Sequence, residues 1–457
     1  MRFSGASVPT IPMTTVMLLA AFVFALRAGT ATAAERIVPA QPGELIRVIA
    51  NAQPGDHLIL EAGRHDGPLV LNRPIILEGR DNAEVIGNGK GSTIAVTGED
   101  ISIRGLRVTG SGNDHAPIDS GIRIAQTAKR IVVEQNVLVG NLHGITIHGG
   151  TDTIIRNNTI LGRKDRRLND RGNGIYVWNA PGAVVEGNVI RFGRDGIFAN
   201  ASKQNAFRNN LIQELRFAVH YMYTHDSEIS GNVSIGNHLG YAIMFSNNIR
   251  VIGNMSLRDK THGVMLNYAN NAEIRGNLVR GGTHEKCTFI YNAHKNTITG
   301  NRFEGCAIGI HFTAGSERNK ISGNGFIGNQ NQVKYVGTRE IEWSDAGRGN
   351  YWSDHPAFDL DGDGLADSAF RPNDLMDHVL WSQPAAKLLL GSPAVQLVRW
   401  SQHAFPAILP GGVKDSHPLM APPIIAVPDR IAKLEREAKP EWLEGDGNVG
   451  ADPLTSH

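Results

Sequence analysis

An asparagine in a near-constant setting recurs nine times, as Asn136, Asn158, Asn188, Asn210, Asn232, Asn254, Asn277, Asn301 and Asn324. The steps are 22, 30, 22, 22, 22, 23, 24 and 23 residues. Strand-like runs precede and follow these positions, Thr153-Ile154-Ile155 and Val189-Ile190 among them. Fourteen residues before six of them a small residue opens a further run: Gly144, Gly174, Gly196, Ala218, Gly240 and Gly263. A fixed period of about 22 residues with short strands and no helical pattern marks stacked coils. One such coil cannot bury its apolar edge alone, so the rungs must pile up about 4.8 Å apart. The expected fold is therefore all-β, a right-handed parallel β-helix. Asparagine suits the corner of a rung because it tolerates left-handed geometry, and stacked amides can ladder between rungs.

A solenoid lengthens without enlarging its core, so 457 residues need no second core. Lys and Arg total 45 against 44 Asp and Glu, which gives no electrostatic case for nucleic acid. The first residues carry Arg2, an apolar run from Val16 to Leu26 and the small residues Ala28 to Ala34, the layout of a secretory signal over 1–34. The apolar run is too short for a permanent membrane span, and the mature chain reads as exported to the periplasm. Residues 42–53 read as a short amphipathic helix capping the first rung of a β-helix over 35–336. Gly89-Lys90-Gly91-Ser92 lacks P-loop spacing, so this chain does not itself hydrolyse nucleotide.

The long step between Asn158 and Asn188 places an insertion at Gly162 to Arg171. It holds five basic residues and is either a grip for an acidic partner or a solvated loop. After Asn324 the period stops. Residues 337–420 form an Asp/Trp-rich segment with a helix-permissive apolar run, Ala385 to Val398, that either closes the solenoid or docks on a membrane-embedded partner. The tail 421–457 is Pro-rich and then charged, and is expected to be disordered. Asp359, Asp361, Asp363 and Asp367 match the first half of a calcium loop, but Phe370 stands where the bidentate Glu belongs. A calcium-stabilised turn and a plain Asp/Gly turn both remain open. Cys287 and Cys306 fall in consecutive rungs, and sequence alone does not say whether they pair.

In the strand after each small residue, Ile and Val take inward positions and the alternate residues point out. The outward pairs are Thr146/His148, Tyr176/Trp178, Phe198/Asn200, His220/Met222, Ala242/Met244, Met265/Asn267 and Phe289/Tyr291. Solvated sheet faces are normally polar. This ribbon is covered by a partner or by the chain's own tail, or it is a route for a metal. His220, Met222, Met244 and Met265 offer imidazole and thioethers, the donors a soft ion such as Cu(I) selects. His143, His238 and His262 flank the same strand openings. The alternative of a polysaccharide lyase, epimerase or hydrolase needs carboxylates converging on an outward face. The ribbon pairs contain none, and Asp195, Asp226 and Asp259 are expected at corners.

The Asn-punctuated rungs, Tyr221-Met222-Tyr223-Thr224-His225-Asp226, and Gly349-Asn350-Tyr351-Trp352-Ser353 with Asp361-Gly362-Asp363-Gly364 resemble the NosD family. The resemblance implies a non-enzymatic periplasmic component of an ABC transporter with separate membrane and ATPase subunits. It implies delivery of copper, with sulfur as the other cargo considered, to the catalytic copper site of nitrous oxide reductase, alongside a copper chaperone.

Overall fold

The computed structural model describes residues 33–281, 286–313, 315–337, 339–373, 392–404 and 412–438. The region read as a secretory signal lies outside them, except for Ala33 and Ala34. The chain winds into a parallel β-helix of three sheets: A, of 13 strands before the asparagines; B, of 13 strands after them; and C, of 12 strands after the small residues. Strands of A and B are mostly three residues long, and their central residue points inward. Those of C run to six residues and carry the broad face. Inward stacks are continuous, with Ile145, Ile175, Ile197 and Val219 in register and fully buried. The helix Glu44–Ala50 covers the first rungs with Leu45 and Ile49 buried.

Each periodic asparagine is buried, and from Asn158 onward each accepts two bonds at its Oδ1, from the main-chain N–H and the Nδ2 of the asparagine one rung earlier, while Asn136 accepts the Leu106 N–H. Asn232 and Asn254 show the pattern at 2.9 and 3.0 Å. The Nδ2 also donates to a carbonyl of sheet A, as Asn254 does to Ile229 at 2.9 Å. Left-handed geometry falls on the residue before, as at Asn157, Asn209 and Gly253. Hydrogen bonding, not corner conformation, is what these positions require. The small residues have a different cause: a Cβ on Gly144 would stand 2.4 Å from the carbonyl oxygen of Gly174 in the next rung.

The period does not stop at Asn324. Asn350 accepts the next ladder bond from the Asn324 N–H at 3.1 Å, and Tyr351–Trp352 pairs with Gly325–Phe326. Trp352 stacks on Phe326 with ring centroids 4.5 Å apart, while Trp343 and Phe370 close the apolar end. Cys287 and Cys306 form a disulfide inside the helix, with Cα atoms 5.7 Å apart.

The disordered tail expected from 421 is corrected over 421–438. Ile425, Val427, Ile431, Leu434 and Ala438 lie on outward Ile235, Leu257 and Leu278 of sheet B. Residues Asp429–Glu437 of this strap are helical. Arg258 donates to the carbonyl of Glu435 at 3.1 Å, and Arg280 pairs with the Glu435 carboxylate at 3.0 Å. Apolar patches on a solvated sheet need cover, and a strap only nine helical residues long supplies it. Of the apolar run 385–398, residues 385–391 lie outside the described residues. The remainder belongs to the helix Pro393–Ala404, which exposes Leu397 and Trp400.

Candidate functional site: the outward face of sheet C

Sheet C brings His220, Met222, Met244 and Met265 to one face, pointing away from the interior. Met222 pairs directly with Met244; His220 pairs with Ala242, and Ala242 with Met265. Met244 and Met265 are buried with Phe217, Leu239, Ala242 and Phe289 in a cluster separate from the interior core, and Met222 packs against it. A sheet face exposed to water would not carry such a cluster. The four donors form a row along the solenoid and not a closed shell, since Ala242 separates His220 from Met265 by one rung.

A second outward row lies directly before the small residues and holds Asp195, Phe217, Leu239 and His262 in register. This corrects the placement of Asp195 at a corner and adds a carboxylate to the face beside the ribbon pairs, which themselves hold none. The signal was available in sequence: the residue before each small residue keeps a constant offset, so its side chain joins a constant row. Asp226, with φ 50°, and Asp259 do lie at corners.

Asp195 is fully buried. Arg216 grips it bidentately, with Nε and Nη2 each 2.7 Å from one carboxylate oxygen. The Nδ1 of His220 stands 3.3 Å from Oδ2. Burial alone would raise the carboxyl, but Arg216 and His220 outweigh it and hold Asp195 well below the usual carboxylate range. The His220 ring is fixed by Phe198, with centroids 4.6 Å apart, and by the edge of Phe217 at 5.0 Å. Its Nε2 is buried without a hydrogen-bond partner. An orphaned buried polar atom costs about 1–3 kcal/mol and calls for a reason. A metal-ligating histidine shows this pattern, with one ring nitrogen on a carboxylate and the other free. The donor set thus fits a soft cation.

Three other buried histidines share the face. Burial pushes His143 down to about 3, His262 to about 4 and His311 to about 3, so all are neutral at pH 7. The Nδ1 of His143 accepts the Asn173 N–H at 3.0 Å. His262 and His311 feel the positive charge of Lys286. His238 is half-buried at its corner.

The insertion 162–171 folds largely onto itself. Arg171 is buried and donates to the carbonyls of Arg166 and Lys164, Arg163 donates to the Gly140 carbonyl, and Lys164 pairs with Glu214. That leaves fewer free cations for an acidic partner than the sequence count implied.

In the Asp-rich turn, carboxylate oxygens of Asp359, Asp361 and Asp363 come within 4.8 Å of one another, a group that does not include Asp367. Asp359 accepts the N–H groups of Gly362 and Gly364, and Asp363 that of Leu365. Asp367 accepts the Leu360 N–H. Turn hydrogen bonds account for these carboxylates without an ion.

Fold and face together define a β-helical protein with a buried soft-donor row on one sheet. A family model described as "Periplasmic copper-binding protein (NosD)" matches residues 162–357. A relative from Pseudomonas aeruginosa named "Probable ABC transporter binding protein NosD" is 39% identical over 376 residues, covering 80% of this chain and 88% of its own. One of the same name from Stutzerimonas stutzeri is 40% identical over 377 residues, covering 80% and 86%. The chain belongs to the NosD family. Among solved structures, a PL6 alginate lyase with bound trisaccharide is similar at TM-score 0.47 and 14% identity, over 71% of this chain and 83% of that one. The Streptococcus pneumoniae adhesin PfbA is similar at TM-score 0.47 and 11% identity, over 64% and 94%. Nothing about activity is carried over at that level of likeness.

Proposed function

We propose that this protein is a periplasmic accessory component of an ABC transporter that takes part in delivering copper to the catalytic copper site of nitrous oxide reductase. The observation that carries this reading is the row of buried His220, Met244 and Met265 with half-buried Met222 on the outward face of sheet C. Family membership supports it, since the family's description is of a periplasmic copper-binding protein and its relatives are named for transporter binding. Imidazole with thioethers favours Cu(I) over Zn²⁺ or Mg²⁺. A row of weak donors suits a cargo that is passed on, because no single set of ligands encloses the ion. Copper is thus a cargo and the protein a binder without catalysis. The helix Pro393–Ala404, with Leu397 and Trp400 exposed, is the apolar surface offered to a membrane-embedded subunit.

The test is anaerobic Cu(I) titration of the purified chain against a competing Cu(I) chelator. Stoichiometric uptake is expected. Failure to take any Cu(I) from the weakest usable chelator sinks the reading, and turnover on a panel of uronate polymers would replace it with an enzyme.

A further inference from the structure

Asp195 and Arg216 form a buried ion pair whose geometry is complete without His220. The guanidinium already engages both carboxylate oxygens. The pair therefore does not explain why an imidazole, and not another aromatic ring, stands between Phe198 and Phe217. The imidazole does gain something from the pair. An ionised carboxylate only accepts, so the Nδ1 facing Asp195 must carry the ring proton. In the neutral ring, Nε2 then presents its lone pair, and this is the buried nitrogen that has no partner. Phe217, against the ring edge, belongs to the same cluster as Met244 and Met265, so the imidazole borders the cluster that holds the thioether row.

The other buried histidines of the face are set differently. His143 spends its Nδ1 lone pair on the Asn173 N–H, which leaves its remaining nitrogen protonated. His262 turns its Nδ1 to the Thr261 carbonyl, and the Nδ1 of His311 is buried without a partner, but both rings lie in the field of Lys286, which repels a cation.

We infer that Asp195, locked by Arg216, is a positioning residue that holds His220 as the Nδ1–H tautomer, so that Nε2 is offered as an imidazole donor to a soft cation beside the thioether row. The inference rests on the copper reading of the row. It adds which histidine anchors the ion, through which nitrogen, and what sets that nitrogen. Arg216 keeps the carboxylate oriented and ionised, so the tautomer is preset before any cation arrives. Carboxylate partners of metal-bound histidines commonly change affinity 10–100-fold when removed.

The experiment uses the full mature chain labelled with ¹⁵N-histidine, with His220 assigned by comparison with His220→Gln. In the metal-free wild type, long-range ¹H–¹⁵N correlations should show protonated Nδ1 and unprotonated Nε2. Asp195→Asn should abolish that pattern and weaken Cu(I) binding about 10–100-fold in chelator competition. Asp195→Glu should restore part of both. A wild-type His220 protonated on Nε2 overturns the inference, and it does so even if Asp195→Asn fails to fold. Unchanged Cu(I) affinity in a folded Asp195→Asn protein overturns it as well. Either result alongside normal wild-type Cu(I) binding leaves the copper reading standing. A wild type with the Nδ1–H tautomer but no Cu(I) uptake removes the copper reading, and this inference with it.

Discussion

Asn350 ends the asparagine ladder on Asp415, whose Oδ2 lies 2.6 Å from the Asn350 N–H and 2.8 Å from the indole nitrogen of Trp352. The ladder amides all donate toward the C-terminal end, so an acceptor-only group is the fitting terminus. Asp415 comes from a segment 65 residues later in sequence, adjoining the strand Gly412–Lys414.

Asp415→Ala should therefore unseat the whole C-terminal cap. It leaves two buried N–H groups unmatched, at about 1–3 kcal/mol each, and the expected loss is about 3–4 kcal/mol. Denaturant unfolding followed by tryptophan fluorescence measures it, since Trp343 and Trp352 sit in that cap. A midpoint within error of the wild type would show that water or a neighbour replaces the carboxylate.

A second buried carboxylate supplies a pH signature. Burial raises Asp259 to about 6, although the hydroxyls of Ser234 and Ser256 and the Asn237 N–H pull it down. A carboxyl with a raised folded value adds stability below the unfolded carboxyl range near about 4, and loses it as pH rises through about 6. Asp259→Asn removes that loss while keeping an acceptor for Asn237. The variant should gain up to about 3 kcal/mol over the wild type at pH 8, with the difference vanishing near pH 4. A pH-independent difference between the two proteins would refute the assignment.

Much of this architecture was legible because the rung repeats its chemistry. The period of Asn136 to Asn324, the small residues and the alternation in strands such as His262–Asn267 fixed the sheets, the inward stacks and the pairing of Met222 with Met244. Asn350 was missed because its rung closes through residues far along the chain, so the spacing to Asn324 is 26 residues and the following run is Trp-rich. Asp195 was missed for a local reason. The register of this strand skips Gly196 opposite Ala218, and Asp195 meets outward His220 although it is two residues before inward Ile197. Asp beside a small residue reads as ordinary turn chemistry, which is why a corner was expected there. The strap 425–438 was missed because its helix carries only Ile431, Ala432 and Leu434 among charged residues, and the outward apolar row on sheet B is what Ile431 and Leu434 fold onto.

That strap offers a direct test. Leu434→Asp places a charge against Leu257 and its neighbours, with a loss of about 1–2 kcal/mol for the strap contact. Hydrogen exchange should rise in residues 429–438 and leave the asparagine ladder protected. Equal protection of the strap in both proteins would mean that its polar contacts through Arg258 and Arg280 hold it unaided.

The methionine row is the test of function. Met222 and Met244 pair across adjacent rungs, and Met244 is buried among Phe217, Leu239 and Phe289. Their packing is satisfied by any unbranched or γ-branched apolar chain of similar volume, so changing both to Leu should cost under about 1.5 kcal/mol each and preserve the fold. What Leu cannot supply is the thioether sulfur that binds Cu(I). The double variant should unfold near the wild-type midpoint and co-purify with its transporter partners as the wild type does. It should nevertheless bind Cu(I) about tenfold or more weakly and leave nitrous oxide reductase deficient in catalytic copper. The control is His220→Phe, which removes the orphaned nitrogen. It should raise stability by up to about 1 kcal/mol while lowering Cu(I) affinity. A double Leu variant that loads the client fully would reduce the row to a packed docking surface. The buried thioethers would then be explained by the same burial that sets Phe217 and Leu239 beside them.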